Sequence, residues 1–226
     1  MAYDLFIGDK SFSSWSLRGW LMFEKFAIPY NEHMIGLYSG TMEADIEPLF
    51  PARLVPAMRT PDGIVVGDTL AMAETLAERH PEAGLWPVDP AARAFARWMV
   101  AEMHSGYGAL RGGCPMQLIS VFHGFEVSEA VAADLKRIET MWALARERHG
   151  ADGPWLFGEY SLADVFFAPV AARITGYGLP VSDAAATYVA AHIADPAFKA
   201  WRAAGLAKTY DPMPYDLGLE TAAWPA

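Results

Sequence analysis

The sequence predicts a two-part chain, with a small mixed α/β unit first and an all-helical part second. Three observations carry this prediction. Apolar residues in the first 80 positions alternate between strand spacing and helix spacing. Residues 81–90, which contain three prolines and a glycine, indicate a linker after that unit. Every longer apolar pattern beyond the linker has helical spacing.

The first part is predicted to fold as strand–helix–strand and then as a hairpin with a last helix. Its predicted strands cover residues 3–7, 30–35, 57–60 and 64–66. Its predicted helices cover residues 17–26, 41–47 and 68–80. Pro29 cannot continue a helix and therefore ends the first one. The Pro61-Asp62-Gly63 sequence favours a tight turn, so the last two strands are expected to pair antiparallel.

The second part contains several predicted helices and one clear start signal. The helices cover residues 91–110, 128–148, 162–175 and 183–194, and Gly112-Gly113-Cys114-Pro115 breaks the chain after the first of them. Ser161 and Asp164 have capping-box spacing, because each side chain can accept a hydrogen bond from the backbone amide of the other. The cap precedes an almost wholly apolar segment, so we expect it to begin the core helix of this part.

Composition and charge exclude several classes of partner. The chain has 226 residues, of which 53% are hydrophobic and 19% charged, and its formal net charge is −10. Nucleic acids and anionic membranes bind basic patches, so neither is an expected partner. No apolar run approaches the ~18 residues that a membrane span needs, and the N-terminus lacks a signal-peptide pattern. These features favour a cytoplasmic protein.

Cysteine and histidine usage argues against disulfides and metals. Cys114 is the single cysteine, so it cannot form an internal disulfide or a cysteine zinc cluster. The histidines show no spacing typical of a metal site.

An anionic ligand would need local cations, and Lys10, Arg18 and Arg53 lie near the expected site.

Two short stretches outline a pocket for a small peptide-like anion. Val55-Pro56 precedes a short strand, which suggests a fixed cis-proline turn. Asp68 and Thr69 then open an amphipathic helix, whose first amides can bind a carboxylate. A serine-rich loop, residues 11–16, stands before the first helix and completes the expected site.

These motifs, in this order and spacing, resemble the glutathione transferase family over nearly the whole chain. The resemblance implies a thioredoxin-like, glutathione-binding domain at residues 1–82 and an all-helical domain at residues 89–226 that carries the electrophile side of the pocket. Residues 13–18 resemble the serine motif of zeta-like and related bacterial members, and residues 102–106 also resemble a bacterial subgroup. The zeta pattern has a cysteine directly after the paired serines, where this chain has Trp15, so conjugation is favoured over isomerisation.

The resemblance implies an enzyme that activates the glutathione thiol for attack on a small, hydrophobic electrophile. A free thiol has a pKa of about 8.5, which a hydroxyl donor and a helix N-terminus lower. Ser13 and Ser14 are the candidate donors, with Ser13 placed first by the family pattern and capping of the first helix as the alternative role. The alternative functions are a catalytically silent binding or assembly module of the same fold and a glutathione-dependent isomerase or peroxidase.

The resemblance also assigns the residues that bind glutathione. They are Trp15, Arg53, Leu54, Val55, Pro56, Asp68 and Thr69. Val55 would pair its backbone with the cysteinyl part of the ligand, as an added strand does. Thr69 would hold the γ-glutamyl carboxylate and Asp68 the ammonium group. Arg53 would pair with the glycyl carboxylate, with a solvated surface position as the alternative.

The electrophile pocket is expected between the two parts. His104, Tyr107 and Arg111 have i, i+3, i+7 spacing and share one face of the helix predicted over 91–110. The alternative to a role in the electrophile pocket is that Tyr107 belongs to the core and that His104 forms a hydrogen bond at the interface. No metal is expected, and the usual assembly of the family implies a homodimer. The acidic tail, residues 212–226, is expected to cover the pocket or to pack on the surface.

Overall fold

The first part of the chain forms a mixed sheet of four strands with helices packed against it. The computed structural model describes residues 2–150, 153–209 and 213–225. The strands and helices of this part are β1 (Tyr3–Ile7), α1 (Ser14–Glu24), β2 (Tyr30–Met34), α2 (Met42–Ile46), β3 (Ala57–Arg59), β4 (Val65–Val66) and α3 (Thr69–Arg79). The predicted order of strands and helices is confirmed, and the predicted hairpin joins β3 to β4.

The sheet has the strand order β2-β1-β3-β4. β1 pairs parallel with β2 and antiparallel with β3. Successive side chains of a strand point to opposite faces, so β1 separates two apolar clusters. Leu5 and Ile7 belong to the main cluster, whereas Phe6 packs on a smaller cluster that contains Ile46, Leu49 and Val55. The smaller cluster therefore holds the segment that leads into the proline turn.

The proline turn is fixed against α1. The Val55–Pro56 peptide bond is cis, as the sequence predicts, and a second cis bond joins Phe50 to Pro51. Pro56 is packed on Gly19 of α1 so closely that a Cβ atom at position 19 would lie 2.8 Å from the proline ring. A glycine at this position lets the turn reach the helix. The contact holds Pro56, and with it Val55, against the middle of α1.

The second part is mostly helical. Its elements are α4 (Pro90–Ser105), α5 (Gly108–Gly113), β5 (Ser120–Phe122), α6 (Glu129–His149), α7 (Leu162–Tyr177), α8 (Asp183–Ala194), α9 (Pro196–Leu206) and β6 (Thr221–Ala223). β5 and β6 pair antiparallel, so the prediction of a wholly helical second part omits one small sheet. α9 was not predicted either. Among the described residues, no helix is long and apolar enough to cross a membrane.

The single helix predicted over 91–110 is wrong. α4 ends at Ser105, Gly106 is extended, and Tyr107 has a left-handed backbone with φ +56° before α5 begins. A Cβ atom at Gly106 would lie only 2.7 Å from the Glu102 carbonyl oxygen, so the close turn depends on glycine. The break changes the direction in which the residues after position 105 face.

α7 is the core helix of the second part, and the predicted capping box begins it. The Ser161 amide donates to Asp164 Oδ2 over 2.9 Å, while Tyr188 and the Leu156 amide donate to Oδ1. Nearly every residue of α7 is buried, and the helix packs against α1, α4 and α8. The main apolar cluster runs without a break from the sheet through α1 into α7. The N-terminal end of α1 therefore faces the second part of the chain.

Candidate functional site

Two adjoining cavities open where α1 meets the second part. The larger has a volume of about 590 Å³ and the smaller of about 320 Å³. Trp15, Leu54 and Val55 line both and form the wall between them. The larger cavity is also lined by Phe12, Ser13, Ser14, Leu37, Met42, Gly108, Arg111, Gly112, Pro115, Met116, Arg173 and Tyr215. The smaller is also lined by Pro56, Gly67, Asp68, Thr69 and His104.

Ser13 caps α1 with its side chain. Its Oγ accepts from the Ser16 amide at 3.2 Å and donates to Ser16 Oγ at 2.8 Å. Ser16 Oγ in turn accepts from the Gly8 amide at 2.8 Å. The Ser13 hydroxyl is therefore held in place at the N-terminal end of a helix, where the partial positive charge of the backbone amides is concentrated.

Ser14 contacts the second part of the chain instead. Its Oγ accepts from Arg173 Nη2 on α7 at 3.4 Å. Its own proton has no acceptor among the described residues. The two serines thus differ: Ser13 belongs to the cap of α1, and Ser14 links α1 to a buried cation.

The smaller cavity contains the N-terminal end of α3. Asp68 Oδ1 accepts from the amides of Leu70 and Ala71 at 2.9 and 3.0 Å, which makes Asp68 the N-cap of this helix. Thr69 is buried, and its Oγ1 finds no hydrogen-bond partner among the described residues. A buried hydroxyl without a partner is costly, so a polar ligand group at this end of the helix would satisfy it.

Val55 presents a second set of open polar groups. In the described part of the chain, its amide and carbonyl take part in no backbone hydrogen bond. Leu54 is 66% exposed beside it. An extended peptide lying along Val55 would pair with these groups in the manner of an added strand.

Arg53 lies outside both cavities. Its side chain is exposed and lines neither of them. Lys10 is also engaged elsewhere, because its Nζ pairs with Glu32 at 2.7 Å. Of the three cations near the site in sequence, only Arg18 packs directly against a residue that lines the cavities.

Three arginines surround Trp15 and Ser14. Arg18 and Arg111 place their Cζ atoms 4.5 and 4.8 Å from the Trp15 ring centroid, and Arg173 reaches Ser14. Their remaining hydrogen bonds go mainly to carbonyl oxygens, such as that of Phe166 for Arg18 and that of Cys114 for Arg173. None forms an ion pair with a carboxylate within the described residues. The larger cavity is therefore electropositive.

Burial opposes the charges of two of these arginines. It lowers the pKa of Arg18 well below the usual value, and the neighbouring charges of Arg173 and Arg111 act in the same direction. Burial also lowers the pKa of Arg173 to about 10, with a further contribution from Arg111. Arg173 is thus still a cation at neutral pH, and an anion in the cavity would relieve the repulsion within the cluster.

Sequence reasoning did not find Arg173. The available signal was a lone cation within the almost wholly apolar segment that forms α7. Arginine is rarely buried without a specific partner. A charged residue in a helix that is predicted to form the core therefore indicates a candidate binding residue.

The predicted electrophile face does not form. Because α4 ends at Ser105, the three side chains do not share one helix face, although Arg111 Nη1 donates to the His104 carbonyl at 3.2 Å and both residues contact Trp15. Arg111 lines the larger cavity, as expected. Tyr107 is buried and lines neither cavity, and its hydroxyl donates to Glu102 Oε1 at 2.8 Å. The core alternative describes Tyr107 correctly.

His104 lies at the smaller cavity instead. Its Nε2 is 3.3 Å from Asp68 Oδ2, and its ring packs edge-on against Trp15 with centroids 5.2 Å apart. His104 therefore contacts Asp68 of the first part of the chain, while its Nδ1 is buried without a hydrogen-bond partner among the described residues. Cys114 is buried away from solvent, and burial raises the pKa of its thiol to about 11. Within the described ranges, no cluster of three or more potential metal ligands is found.

Solved structures of glutathione transferases share this fold. A glutathione transferase homologue from Burkholderia with bound glutathione superposes with a TM-score of 0.68 at 20% identity, covering 92% of this chain and 100% of that one. Glutathione transferase Omega 3C from Trametes versicolor gives a TM-score of 0.66 at 21% identity, covering 89% of this chain and 88% of the other. A thioredoxin-like sheet followed by a mostly helical part is thus the glutathione transferase architecture, as predicted.

The sequence itself matches the same family. Residues 12–79 match the model for the glutathione S-transferase N-terminal domain. The matched segment contains the serine motif, the cis-proline turn and the Asp68-Thr69 pair. Over this segment the chain is similar to the glutathione S-transferase family.

Relatives of described function are maleylacetoacetate isomerases. A probable maleylacetoacetate isomerase of Caenorhabditis elegans is 27% identical over 178 residues, which cover 76% of this chain and 79% of that protein. The maleylacetoacetate isomerase of Rattus norvegicus is 31% identical over 140 residues, which cover 61% of this chain. The latter match spans 62% of the rat protein, less than two thirds of its length.

Proposed function

We propose that the protein is a glutathione-dependent enzyme in which the glutathione thiolate attacks a small electrophile. One observation carries the proposal. The unpartnered Thr69 hydroxyl and the open backbone of Val55 line one cavity, and the paired serines line the adjoining one. A tripeptide in the smaller cavity would therefore present its central thiol to the serines across the shared wall.

The proposed contacts follow the groups of the ligand. The γ-glutamyl carboxylate would accept from Thr69 Oγ1 and the first amides of α3. The ammonium group would pair with Asp68, whose Oδ2 already faces His104. The cysteinyl backbone would pair with Val55 beside Pro56. Arg53, whose side chain is exposed, would fold over the glycyl carboxylate.

Ser13 is our first choice for the group that stabilises the thiolate. A lone pair of its oxygen already accepts from the Ser16 amide, which holds the hydroxyl at the end of α1. Rotation about the bond between Cβ and Oγ would redirect the proton from Ser16 to the sulfur. The helix N-terminus and the cations Arg111 and Arg173 favour the same charged form of the thiol.

The electrophile is proposed to carry a carboxylate. Arg111 and Arg173 line the larger cavity without a carboxylate partner among the described residues. The relatives act, by their names, on maleylacetoacetate, a carboxylate that contains an electron-poor cis double bond. A guanidinium recognises such a carboxylate with two parallel hydrogen bonds. Attack of the thiolate on the double bond would be the first step of either conjugation or isomerisation.

The fate of the thioether adduct separates these two reactions. In conjugation the adduct takes a proton and leaves, whereas in isomerisation the carbon chain rotates and the thiolate is expelled again. The relatives favour isomerisation, and Trp15 in place of the zeta cysteine favours conjugation. We place conjugation first, because Trp15 fills the position from which a protein thiol would act.

Two measurements test the proposal. Calorimetric titration with glutathione is expected to give saturable binding, and the absence of binding at millimolar glutathione would contradict the enzyme function in favour of a silent assembly module. Titration of free thiols during turnover of maleate then distinguishes the reactions. Thiols consumed in proportion to maleate indicate conjugation, and thiols unchanged while fumarate accumulates indicate isomerisation.

The family also leads us to propose three properties of the whole molecule. These are a homodimeric assembly, a cytoplasmic location, and a division into domains at residues 1–82 and 89–226. Sedimentation of the purified protein would test the first of them: a sedimentation coefficient typical of a 24.7 kDa monomer at micromolar concentration would contradict it.

A further inference from the structure

We propose that Tyr215 is a further substrate-positioning residue, whose phenol hydroxyl donates to the carbonyl oxygen of the electrophile beside Arg173. The inference rests on the proposed function and extends it to the segment that follows α9. Sequence reasoning left open whether the tail covers the pocket. Of that tail, residues 212 and 226 lie outside the described ranges, and residues 213–225 are described.

The end of the tail is attached firmly to the second part. β6 pairs with β5, and the His123 amide donates to the Glu220 carbonyl at 2.8 Å. The Trp224 ring is buried, with the Arg202 guanidinium 5.2 Å from its centroid. These contacts attach residues 220–224 to the second part, and Tyr215, five residues earlier in the tail, lines the larger cavity.

Tyr215 forms part of the rim of that cavity. Its ring packs edge-on against Phe12, with centroids 5.8 Å apart, and its hydroxyl accepts from the Tyr38 hydroxyl at 3.4 Å. Phe12 and Tyr38 also pack edge-on against each other. Three separate segments of the chain therefore meet in one aromatic rim, and Tyr215 is its contribution from the tail.

The backbone holds Tyr215 in an unusual conformation. Its φ is +58°, in the left-handed region that large side chains rarely adopt. The Gly218 amide donates to Asp216 Oδ1 at 2.9 Å, and Gly218 itself has φ +63°, so a tight turn follows directly. A strained residue at a cavity wall is commonly part of a functional site, because the surrounding contacts must maintain it.

The chemistry of the proposed addition calls for a donor at this place. The sulfur lone pair forms the new C–S bond at the β-carbon, the C=C electron pair moves to form a bond to the carbonyl carbon, and the C=O pair moves onto oxygen. The oxygen becomes an enolate, which in conjugation is followed by protonation of the α-carbon by water. Donors already in position around the developing oxyanion stabilise it. Tyr215 lines the same cavity as Arg173 and would donate to that oxygen, while the arginines hold the carboxylate of the electrophile.

The test compares two electrophiles in the full-length protein. Ethacrynic acid is an unsaturated ketone that carries a carboxylate, whereas benzyl chloride reacts by displacement of chloride and develops no charge on an oxygen. Tyr215→Phe keeps the ring and removes only the hydroxyl. We expect kcat/KM for ethacrynic acid to fall about 3- to 10-fold, the equivalent of one neutral hydrogen bond. The rate with the second electrophile and the Kd for S-methylglutathione are expected to stay unchanged.

Tyr30→Phe is the matched control, because the Tyr30 hydroxyl donates to Glu24 and the residue lines neither cavity. It should react like the parent with both electrophiles. A Tyr215→Phe protein that matches the parent, or that slows both reactions equally, would overturn the assignment while leaving the proposed function intact. A parent protein that fails to bind S-methylglutathione would overturn the proposed function, and the assignment would fall with it.

Discussion

Two guanidinium groups contact the Trp15 ring, with the Arg18 Cζ atom 4.5 Å and the Arg111 Cζ atom 4.8 Å from its centroid. The indole thus contacts two cations that repel each other, and this repulsion adds to the effect of burial in lowering the pKa of Arg18. Aromatic rings attract cations through their electron-rich faces, and the attraction is strongest where water is excluded. Trp15 thus supports the positive cluster as well as lining the site.

Replacing Trp15 is expected to weaken both the fold and the site. Trp15→Leu removes two cation–π contacts of about 0.5–2 kcal/mol each, so the free energy of unfolding should fall by about 1–3 kcal/mol. Trp15→Phe keeps a ring face and should lose less. Urea denaturation measures the difference. Trp98→Leu, at a position that is 55% exposed, is the control and should change stability by less than about 0.5 kcal/mol.

The unpartnered hydroxyl of Thr69 predicts opposite effects on binding and on stability. Thr69→Val removes a donor to a charged carboxylate, which should raise the glutathione Kd roughly 10- to 100-fold. The free protein should be as stable as the parent or slightly more so, because a buried polar atom without a partner is removed. Thr75→Val, on the same helix but outside the cavity lining, is the control. A marked loss of stability in Thr69→Val with unchanged Kd would assign Thr69 a structural role.

Arg173 is expected to select electrophiles that carry a carboxylate. Arg173→Gln keeps a hydrogen-bonding group and removes the charge, so KM for ethacrynic acid should rise roughly 10-fold or more. KM for 1-chloro-2,4-dinitrobenzene, which has no carboxylate, should change much less. Arg202→Gln is the matched control, since Arg202 also bonds carbonyl oxygens but lines neither cavity. Equal changes for both electrophiles would contradict the role of Arg173 in anion recognition.

Asp164 is expected to make stability depend on pH in mildly acidic solution. Burial raises the pKa of this carboxyl to about 6 in the folded protein, against 3.8 for the exposed group. The folded state therefore binds more protons than the unfolded state between these values, and the contribution of Asp164 to stability falls as pH rises from about 4 to 6. A shift of this size corresponds to about 2–3 kcal/mol.

Asp164→Asn removes the titration and nearly preserves the shape of the side chain. The difference in unfolding free energy between variant and parent, measured by urea denaturation across this pH range, should move in favour of the variant as pH rises. A difference that is independent of pH would show that Asp164 keeps an ordinary pKa in the fold. The same difference in unfolding free energy is measured for Asp195→Asn, which changes another N-cap carboxylate in the second part.

The features that the sequence predicts correctly depend on neighbouring residues. Val55-Pro56 and the Ser161–Asp164 cap are encoded within a few positions, and both appear as expected. The break at Gly106 was missed, because a glycine is tolerated within a helical pattern and the left-handed backbone of Tyr107 has no local signal. For this reason, the prediction that His104, Tyr107 and Arg111 share one helix face is wrong.

The features that the sequence does not predict depend on distant contacts. β5 and β6 are short and are separated by about 100 residues in sequence, so neither has a recognisable pattern alone. The meeting of Arg173 with Ser14, and of Tyr215 with Phe12, results from the packing of α7 and of the tail. Side chains that line a site between two parts of a chain are therefore known only once those parts are packed.

The ionisation of the bound thiol tests the central proposal most directly. The ultraviolet absorbance of the thiolate, followed against pH in the complex of glutathione with the parent, with Ser13→Ala and with Ser14→Ala, gives the pKa of the sulfur. We predict a pKa below the value of about 8.5 for a free thiol in the parent, and a return toward that value in Ser13→Ala. A bound thiol that titrates in the parent as it does in free solution would contradict the account.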